Sequence, residues 1–307
     1  MTNPSESKRV WSRRHFLTIT GLSLAGAAAM RAHGQTASPS PLSFGIVTDC
    51  HYAERDDPKG QRFYRDSCKK LSDCVAEMNR RKVDFLIELG DFKDLGETAD
   101  ATLKNLEAIE AVFCDFKGPR YHVLGNHDAD RITKEQFLAR VANTGFASAQ
   151  PFYSFDVKGV HFAVLDANHN ADGSDYRAGN FDWKKAYVPS AQLAWLKSDL
   201  DAAARPTVVF VHQLLDADTG DVYVRNAAEV RRVLETSGHV RAVFQGHHHE
   251  GNYSVVNGIP YYTLKALVIG RYPQNNAFAT VTQQADERLA VAGFGHAESR
   301  TLPQKIL

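Results

Sequence analysis

Five short clusters hold residue types that can do chemistry: Asp49-Cys50-His51, Gly90-Asp91, Gly125-Asn126-His127-Asp128, Val211-His212 and Gly246-His247-His248-His249. Carboxylate oxygen, amide oxygen and imidazole nitrogen together suit hard or borderline divalent cations such as Mn, Fe, Zn or Mg. The clusters are about 35–85 residues apart. They can form one site only if the fold gathers them.

Each cluster follows an apolar run, and the runs supply that gathering. Phe44 to Val47, Val83 to Leu89 and Tyr121 to Leu124 are predicted strands, with helices predicted over 61–81, about 98–115 and 133–143. Strands alternating with helices predict an α/β fold with parallel or mixed sheets. In such sheets ligands collect beyond the carboxyl ends of the strands, which is where the clusters stand. Further on, 152–156 and 160–165 form a predicted hairpin, and 168–189 has no clear period, the mark of a long functional loop. Ser190 is expected to cap a helix carrying Leu193, Trp195, Leu196 and Leu200. A strand at 207–211, a helix at 226–236, a strand at 240–244, a hairpin turning at Asn257-Gly258 and strands at 277–282 and 288–293 complete the chain. One domain over 42–296 is expected, followed by a tail at 297–307.

The order D-x-H, G-D, G-N-H-D, H, G-H-x-H resembles the signature of calcineurin-like metallophosphoesterases, and the resemblance covers nearly all of 42–265. It implies a four-layer αββα sandwich of two mixed sheets. It also implies two divalent metal ions: Asp49, His51 and His249 for the first, Asn126, His212 and His247 for the second, Asp91 bridging both. Two ions about 3.5–4 Å apart can clamp the attacking and leaving oxygens of an in-line displacement. His127, by the same resemblance, contacts the phosphate or protonates the leaving oxygen. Asp128 is expected to orient His127, and Asp94 to support the site from behind.

Arg62-Phe63-Tyr64-Arg65, Gln192 to Leu196 and Gly251-Asn252-Tyr253 are similar to a subgroup, the manganese-dependent ADP-ribose/CDP-alcohol diphosphatases. Two departures stand against full agreement. That subgroup usually has Gln where this chain has His51, and Gln213-Leu214-Leu215 replace the His and Pro that many members place after the single-His cluster. His122, His161, His239 and His296 are expected to be structural, and His248 to point away from the ligands.

The leading functional expectation is a binuclear metal-dependent hydrolase of a phosphodiester or nucleotide-type diphosphate. A broad phosphomonoesterase and a metal-bearing binding module without turnover are the alternatives; an intact His127 argues against the last. Tyr64 and Arg65 are expected to touch substrate by stacking on a base and by pairing with a phosphate. Trp183, with its polar and aromatic neighbours in 168–189, is expected to do the same. The substrate would be a small phosphate ester, nucleotide-like at most.

Composition is ordinary for a globular protein, with 43% hydrophobic and 23% charged residues and zero formal net charge. Residues 1–34 hold five basic side chains (Lys8, Arg9, Arg13, Arg14, Arg31) and one acid (Glu6), leaving 31 basic against 35 acidic residues beyond them. Stable nucleic-acid binding is therefore not expected, and a phosphate would need a local positive source such as metal ions. Ser12 to Leu17, with Arg13-Arg14, a mildly apolar run to Met30 and small residues at Ala32 and Gly34, predict a twin-arginine signal over 1–34, followed by a linker at 35–41. A periplasmic or secreted location would follow, with the twin-arginine translocase as partner during export. Cys50, Cys68, Cys74 and Cys114 are expected to be free, mostly buried thiols, because folded-state export weakens the need for disulfides and a spacing of six turns Cys68 and Cys74 to different faces of one helix.

Overall fold

The computed structural model describes residues 41–146 and 150–304, so the predicted signal at 1–34 and linker residues 35–40 lie outside the described residues. The strands are β1 (Ser43–Val47), β2 (Phe85–Glu88), β3 (Arg120–His122), β4 (Tyr153–Val157), β5 (Val160–Val164), β6 (Thr207–Phe210), β7 (Val240–Gln245), β8 (Asn252–Val256), β9 (Ile259–Thr263), β10 (Ala277–Gln283), β11 (Leu289–Gly295) and β12 (Arg300–Thr301). The helices are α1 (Ser67–Arg81), α2 (Ala99–Phe113), α3 (Lys134–Leu138), α4 (Ser190–Ala203) and α5 (Ala227–Ser237).

Two six-stranded sheets result, ordered β12-β11-β10-β1-β2-β3 and β4-β5-β6-β7-β9-β8. Both are mixed. β1, β2 and β3 run parallel while β10 joins β1 antiparallel. In the second sheet β5, β6, β7 and β9 run parallel, with β4 and β8 antiparallel at the edges.

The period of two along each strand explains the stacking. Phe44 and Ile46 face the second sheet, where Phe44 meets Phe162, Phe210 and Phe244 edge-on at 5.6–5.8 Å. Val47 faces outward against Leu71, Cys74, Val75 and Met78 of α1. The second sheet likewise turns Val209 and Val243 toward Leu196 and Leu200 of α4 and Val230 and Leu234 of α5. The layers are helix, sheet, sheet, helix, as the resemblance implies.

Four boundaries differ from expectation, the first being that Pro189, not Ser190, precedes α4 as its cap and no side chain bonds there. α1 starts at Ser67, not 61, because the Asp57 carboxylate collects the amides of Lys59, Gln61 and Arg62 into a turn. α3 spans five residues, opened by a capping box between Thr133 and Gln136. Residues 297–304 are no loose tail: β12 pairs with β11, and Leu302 is buried in the inter-sheet core.

Candidate metal centre

The parallel strands of both sheets deliver their carboxyl ends to one edge. Asp49 follows β1, Asp91 follows β2, Asn126 follows β3, His212 follows β6, and His247 and His249 follow β7. Beyond the strands the loops bond to one another: Asp49 N donates to Gly90 O, His51 N to Asp91 O and Gly246 N to His212 O. The approach is close enough to need glycine. A Cβ on Gly125 would stand 2.1 Å from Asp91 N, and one on Gly246 2.1 Å from Thr48 Oγ1. Asp49, His51, Asp91 and His247 all have left-handed backbone, φ 48–66°. Such conformations persist where surroundings over-determine them, and they gather at functional sites.

Two groups of side chains converge. Asp49 Oδ1 lies 3.3 Å from His249 Nε2 and 3.6 Å from His51 Nε2, and the two Nε2 atoms are 3.1 Å apart. In the second group, His212 Nε2 lies 3.1 Å from Asp91 Oδ2, and the His212 and His247 rings are 4.9 Å apart. Asp91 Oδ2 is also 3.6 Å from His51 Nε2, so one carboxylate oxygen faces both groups.

The rear atoms of these side chains are already committed. His51 Nδ1 is 3.0 Å from Asp94 Oδ2, and His212 Nδ1 donates to Leu89 O at 2.8 Å. An acceptor at Nδ1 fixes the proton there and leaves Nε2 with its lone pair toward the site. Asp49 Oδ2 accepts from Thr48 Oγ1 and His247 N, and Asp91 Oδ1 from His127 N. The front atoms are different. Asp49 Oδ1, Asn126 Oδ1, His212 Nε2 and His247 Nε2 are buried and make no hydrogen bond. Four orphaned buried polar atoms in one place need a partner. Divalent cations supply it, and these oxygens and nitrogens are the donors such cations take. Asp49-His51-His249 and Asp91-His212-His247 each have the spacing to hold an ion.

Charge favours the same conclusion. Burial disfavours the charged form of every group here, yet the imidazoles of His249 and His51 beside it hold Asp49 well below the usual carboxylate range. Burial would lower His51, but Asp49 and Asp94 push it up to about 10. Burial and the neighbouring His212 take His247 down to about 3. The buried carboxylates demand positive charge, and the imidazoles respond unequally.

The calcineurin-like phosphoesterase family profile matches residues 42–251 of the chain. The chain belongs to this family. The manganese-dependent ADP-ribose/CDP-alcohol diphosphatase of Oryza sativa subsp. japonica is 28% identical over 300 residues, covering 83% of this chain and 92% of the relative. That of Arabidopsis thaliana is 26% identical over 277 residues, covering 76% and 89%. A solved dimetal phosphatase from Danio rerio superposes with TM-score 0.73 at 22% identity, covering 87% of this chain and 100% of that one. A purple acid phosphatase from yellow lupin seeds reaches 0.56 at 13% identity, covering 85% and 53%. The two structures agree in fold. This calcineurin-like phosphoesterase is a metal-dependent hydrolase of phosphate esters, with two clusters suited to two divalent ions.

Around this phosphoesterase centre, several expected contacts fall elsewhere. The His127 ring lies 4.7 Å from that of His51, but its Nδ1 is 2.6 Å from Asp130, not Asp128. Asp128 instead accepts the amides of Asp91, Phe92 and Gly125, fixing the turn that carries Asp91. Burial, with Glu88 and Asp91 adding, pushes Asp128 up to about 7. Tyr64 is buried beneath Arg55, whose guanidinium lies 4.3 Å over its ring and bonds its hydroxyl, so no ring face is left for a base. Arg65 is paired with Glu54 and Asp56. Trp183 is 40% exposed and lies 5.6 Å from the His247 ring.

The residues missed are Asp130, Arg55, Arg62 and Arg271. Arg55 bonds Asp94 at 2.9 Å and lines a cavity of about 420 Å³ with Arg62, Phe63, Arg271 and Tyr272. Arg55 bonds Asp94, which backs His51, and Phe63 N donates to Val268 O while Val268 N donates to Asp49 O, so this cavity adjoins the first ligand group. Asp130 was within reach of inspection, three residues after His127. Arg55 and Arg271 come from two distant segments and had no sequence signal, whereas Arg62 stands in the Arg62-Phe63-Tyr64-Arg65 motif, which assigned a role only to its last two residues. His122 is held between Glu88 and Glu110, and His161 between Asp156 and Asp199, both structural as expected. All four cysteines are free.

Proposed function

We propose that this phosphoesterase hydrolyses the diphosphate linkage of a small nucleotide-type substrate, of the ADP-ribose or CDP-alcohol class. Asp49, His51 and His249 would hold one ion, Asn126, His212 and His247 the other, and Asp91 both. The carrying observation is the pair of ligand groups facing one Asp91 oxygen, with unpartnered buried atoms aimed between them. The two bound ions would activate water and neutralise charge on the phosphate.

The chain's own side chains supply the rest. Asp130 holds the Nδ1 proton of His127, and the other nitrogen of that ring is left to give a proton to the leaving oxygen. The cavity beside the first ligand group supports the diphosphate reading over a monoester. Among the described residues Arg62 and Arg271 make no ion pair, although three other cavity residues are acidic. Asp56 is taken by Arg65, Asp57 by backbone amides and Asp66 by Tyr272 N. Two unpaired guanidinium groups there suit a second anionic group on the substrate. Trp183, on the opposite side by His247, offers an exposed ring for a base or sugar.

Turnover of ADP-ribose, a CDP-alcohol, bis(p-nitrophenyl) phosphate and p-nitrophenyl phosphate with Mn, Fe, Zn or Mg tests this reading. The diphosphates should lead, and a preference for the monoester overturns it. The reading also includes export to the periplasm or medium through the twin-arginine translocase, on the strength of Arg13-Arg14. Arg13→Lys with Arg14→Lys should hold the precursor in the cytoplasm; normal export of that variant refutes it.

A further inference from the structure

The loop that brings Trp183 to His247 has little regular structure of its own. Between β5 and α4 there is one 3-10 turn at Trp183–Lys185, and isolated bridges join His169 to Asp175 and Tyr187. Buried Tyr176 stacks on Phe181 at 4.2 Å, and Ala178 N donates to Ala129 O and Ile132 O. These contacts tidy the loop but leave its charge unexplained. Two carboxylates and an imidazole, from Asp166, Asp175 and His169, have ligand atoms all within 4.8 Å of one another. Lys134, the first residue of α3, reaches into that group. It is 4% exposed; its Nζ donates to Asp166 Oδ2 and Asp175 Oδ1, both at 2.5 Å, and lies 3.3 Å from His169 Nε2. Burial, joined by the Lys134 charge and opposed by Asp166, keeps His169 below its ordinary value, and its Nε2 also lies 3.1 Å from Asp175 Oδ1.

We propose that Lys134 is an internal cation that sets the position of the 168–189 loop over the metal centre, which makes it a specificity-positioning residue. The ammonium stands where a divalent ion would otherwise be needed. Because it is tethered to α3, it stays when soluble ions are stripped. The cage is also wired to the ligand strands. Asp166 Oδ1 accepts from Asn168 N and Nδ2; Asn168 Nδ2 also donates to Leu124 O, two residues before Asn126. Asn168 Oδ1 accepts from Gln213, the neighbour of His212. Gln213, which departs from the family pattern, thus finds its partner here. Removing the ammonium leaves fully buried Asp166 and half-exposed Asp175 repelling each other. The cheaper outcome is for the loop to carry Asp175 into water.

The link to specificity rests on the proposed substrate-facing role of Trp183; the loop's position does not. Two variants test it: Lys134→Met, and the milder Asp175→Asn, which keeps Lys134 paired with Asp166. Trp183 emission, taken as the difference from Trp183→Phe controls, should shift toward the water-exposed form in both. With Mn, KM for ADP-ribose should rise on the order of 10- to 100-fold, as misplacement of a distant positioning group does. Turnover of bis(p-nitrophenyl) phosphate should stay nearly unchanged. Lys134→Ala, which opens the cage, should hold one more Mn or Zn ion per chain than wild type, and Lys134→Ala/His169→Ala should not. Unchanged Trp183 emission in folded Asp175→Asn overturns the positioning role, whether or not Lys134→Met folds. A Lys134→Ala protein with no extra ion overturns the cation cage. If ADP-ribose is not a substrate, emission and metal content still decide the proposal, so its failure is distinct from failure of the diphosphatase reading.

Discussion

At the ends of β1, β2 and β6 the metal-facing side chains lean mostly on backbone: His212 on Leu89 O, Asp49 on His247 N and Asp91 on His127 N, with His51 on the Asp94 carboxylate the exception. On the rim, proposed to face the substrate, from Glu54 to Arg65, over 168–189 and at Arg271-Tyr272, charged side chains pair mainly with other side chains. Arg55 is shared by Asp94 and Tyr64, Arg65 by Glu54 and Asp56, Lys134 by Asp166 and Asp175. The inner region fixes attack geometry for any phosphate ester. The outer one can change by single substitutions without disturbing it, which is how one fold serves many substrates.

Breaking the inner region should cost most. Asp91 faces both ligand groups, so Asp91→Ala should lose both ions and all measurable turnover. Chelation of the wild type should do the same. Elemental analysis and activity, measured together, check both. A variant that keeps two ions shows that Asp91 does not join the groups.

One step outward, His127→Ala should keep two ions yet lower kcat by about 10²–10⁴-fold, the usual scale of general acid assistance. The loss should shrink on substrates with very good leaving groups, which need little protonation. Equal losses on good and poor leaving groups would remove the acid role. Asp94 stands between the regions, bonded to His51 on one side and Arg55 on the other. Asp94→Asn should weaken metal affinity about 10–100-fold, as loss of such a supporting carboxylate does. A metal titration with unchanged affinity would place Asp94 with the rim instead.

The two regions also differ in how far they could be read from sequence. A ligand just past a strand is set by local pattern: an apolar run, a glycine, then Asp, Asn or His. The αββα layering was legible for that reason, and so was the gathering of Asp49, His51 and His249 and of Asp91, His212 and His247 into two clusters. Gly125 and Gly246 leave no room for a Cβ, so even the glycines in those clusters were informative. Rim contacts depend on which loop lies beside which. Arg62 and Arg271 share a cavity 209 positions apart in the numbering, and no periodicity announces that. Tyr64 and Arg65 had the right chemistry but the wrong neighbours: Arg55 covers one ring and two acids take the other guanidinium. The same blindness assigned His127 to Asp128 when the turn carries Asp130 to it.

The sharpest use of the comparison lies within the rim, between two arginines three residues apart. Arg62 lines the cavity and has no ion-pair partner among the described residues. Arg65 is 47% exposed and already paired with Glu54 and Asp56. Arg62→Ala should remove a charge-assisted contact to the second anionic group, worth about 1.5–3 kcal/mol. That loss should appear in kcat/KM for ADP-ribose and much less for bis(p-nitrophenyl) phosphate, which has no second anionic group. Arg65→Ala breaks only solvent-screened pairs, whose worth is about 0–1 kcal/mol of stability. Its kcat/KM should stay near wild type on both substrates, with at most a slightly lower Tm. If instead Arg65→Ala carries the substrate-dependent loss and Arg62→Ala is silent, the Glu54 and Asp56 pairs give way on binding. The cavity beside the first ligand group would then not be where the substrate's second anion sits.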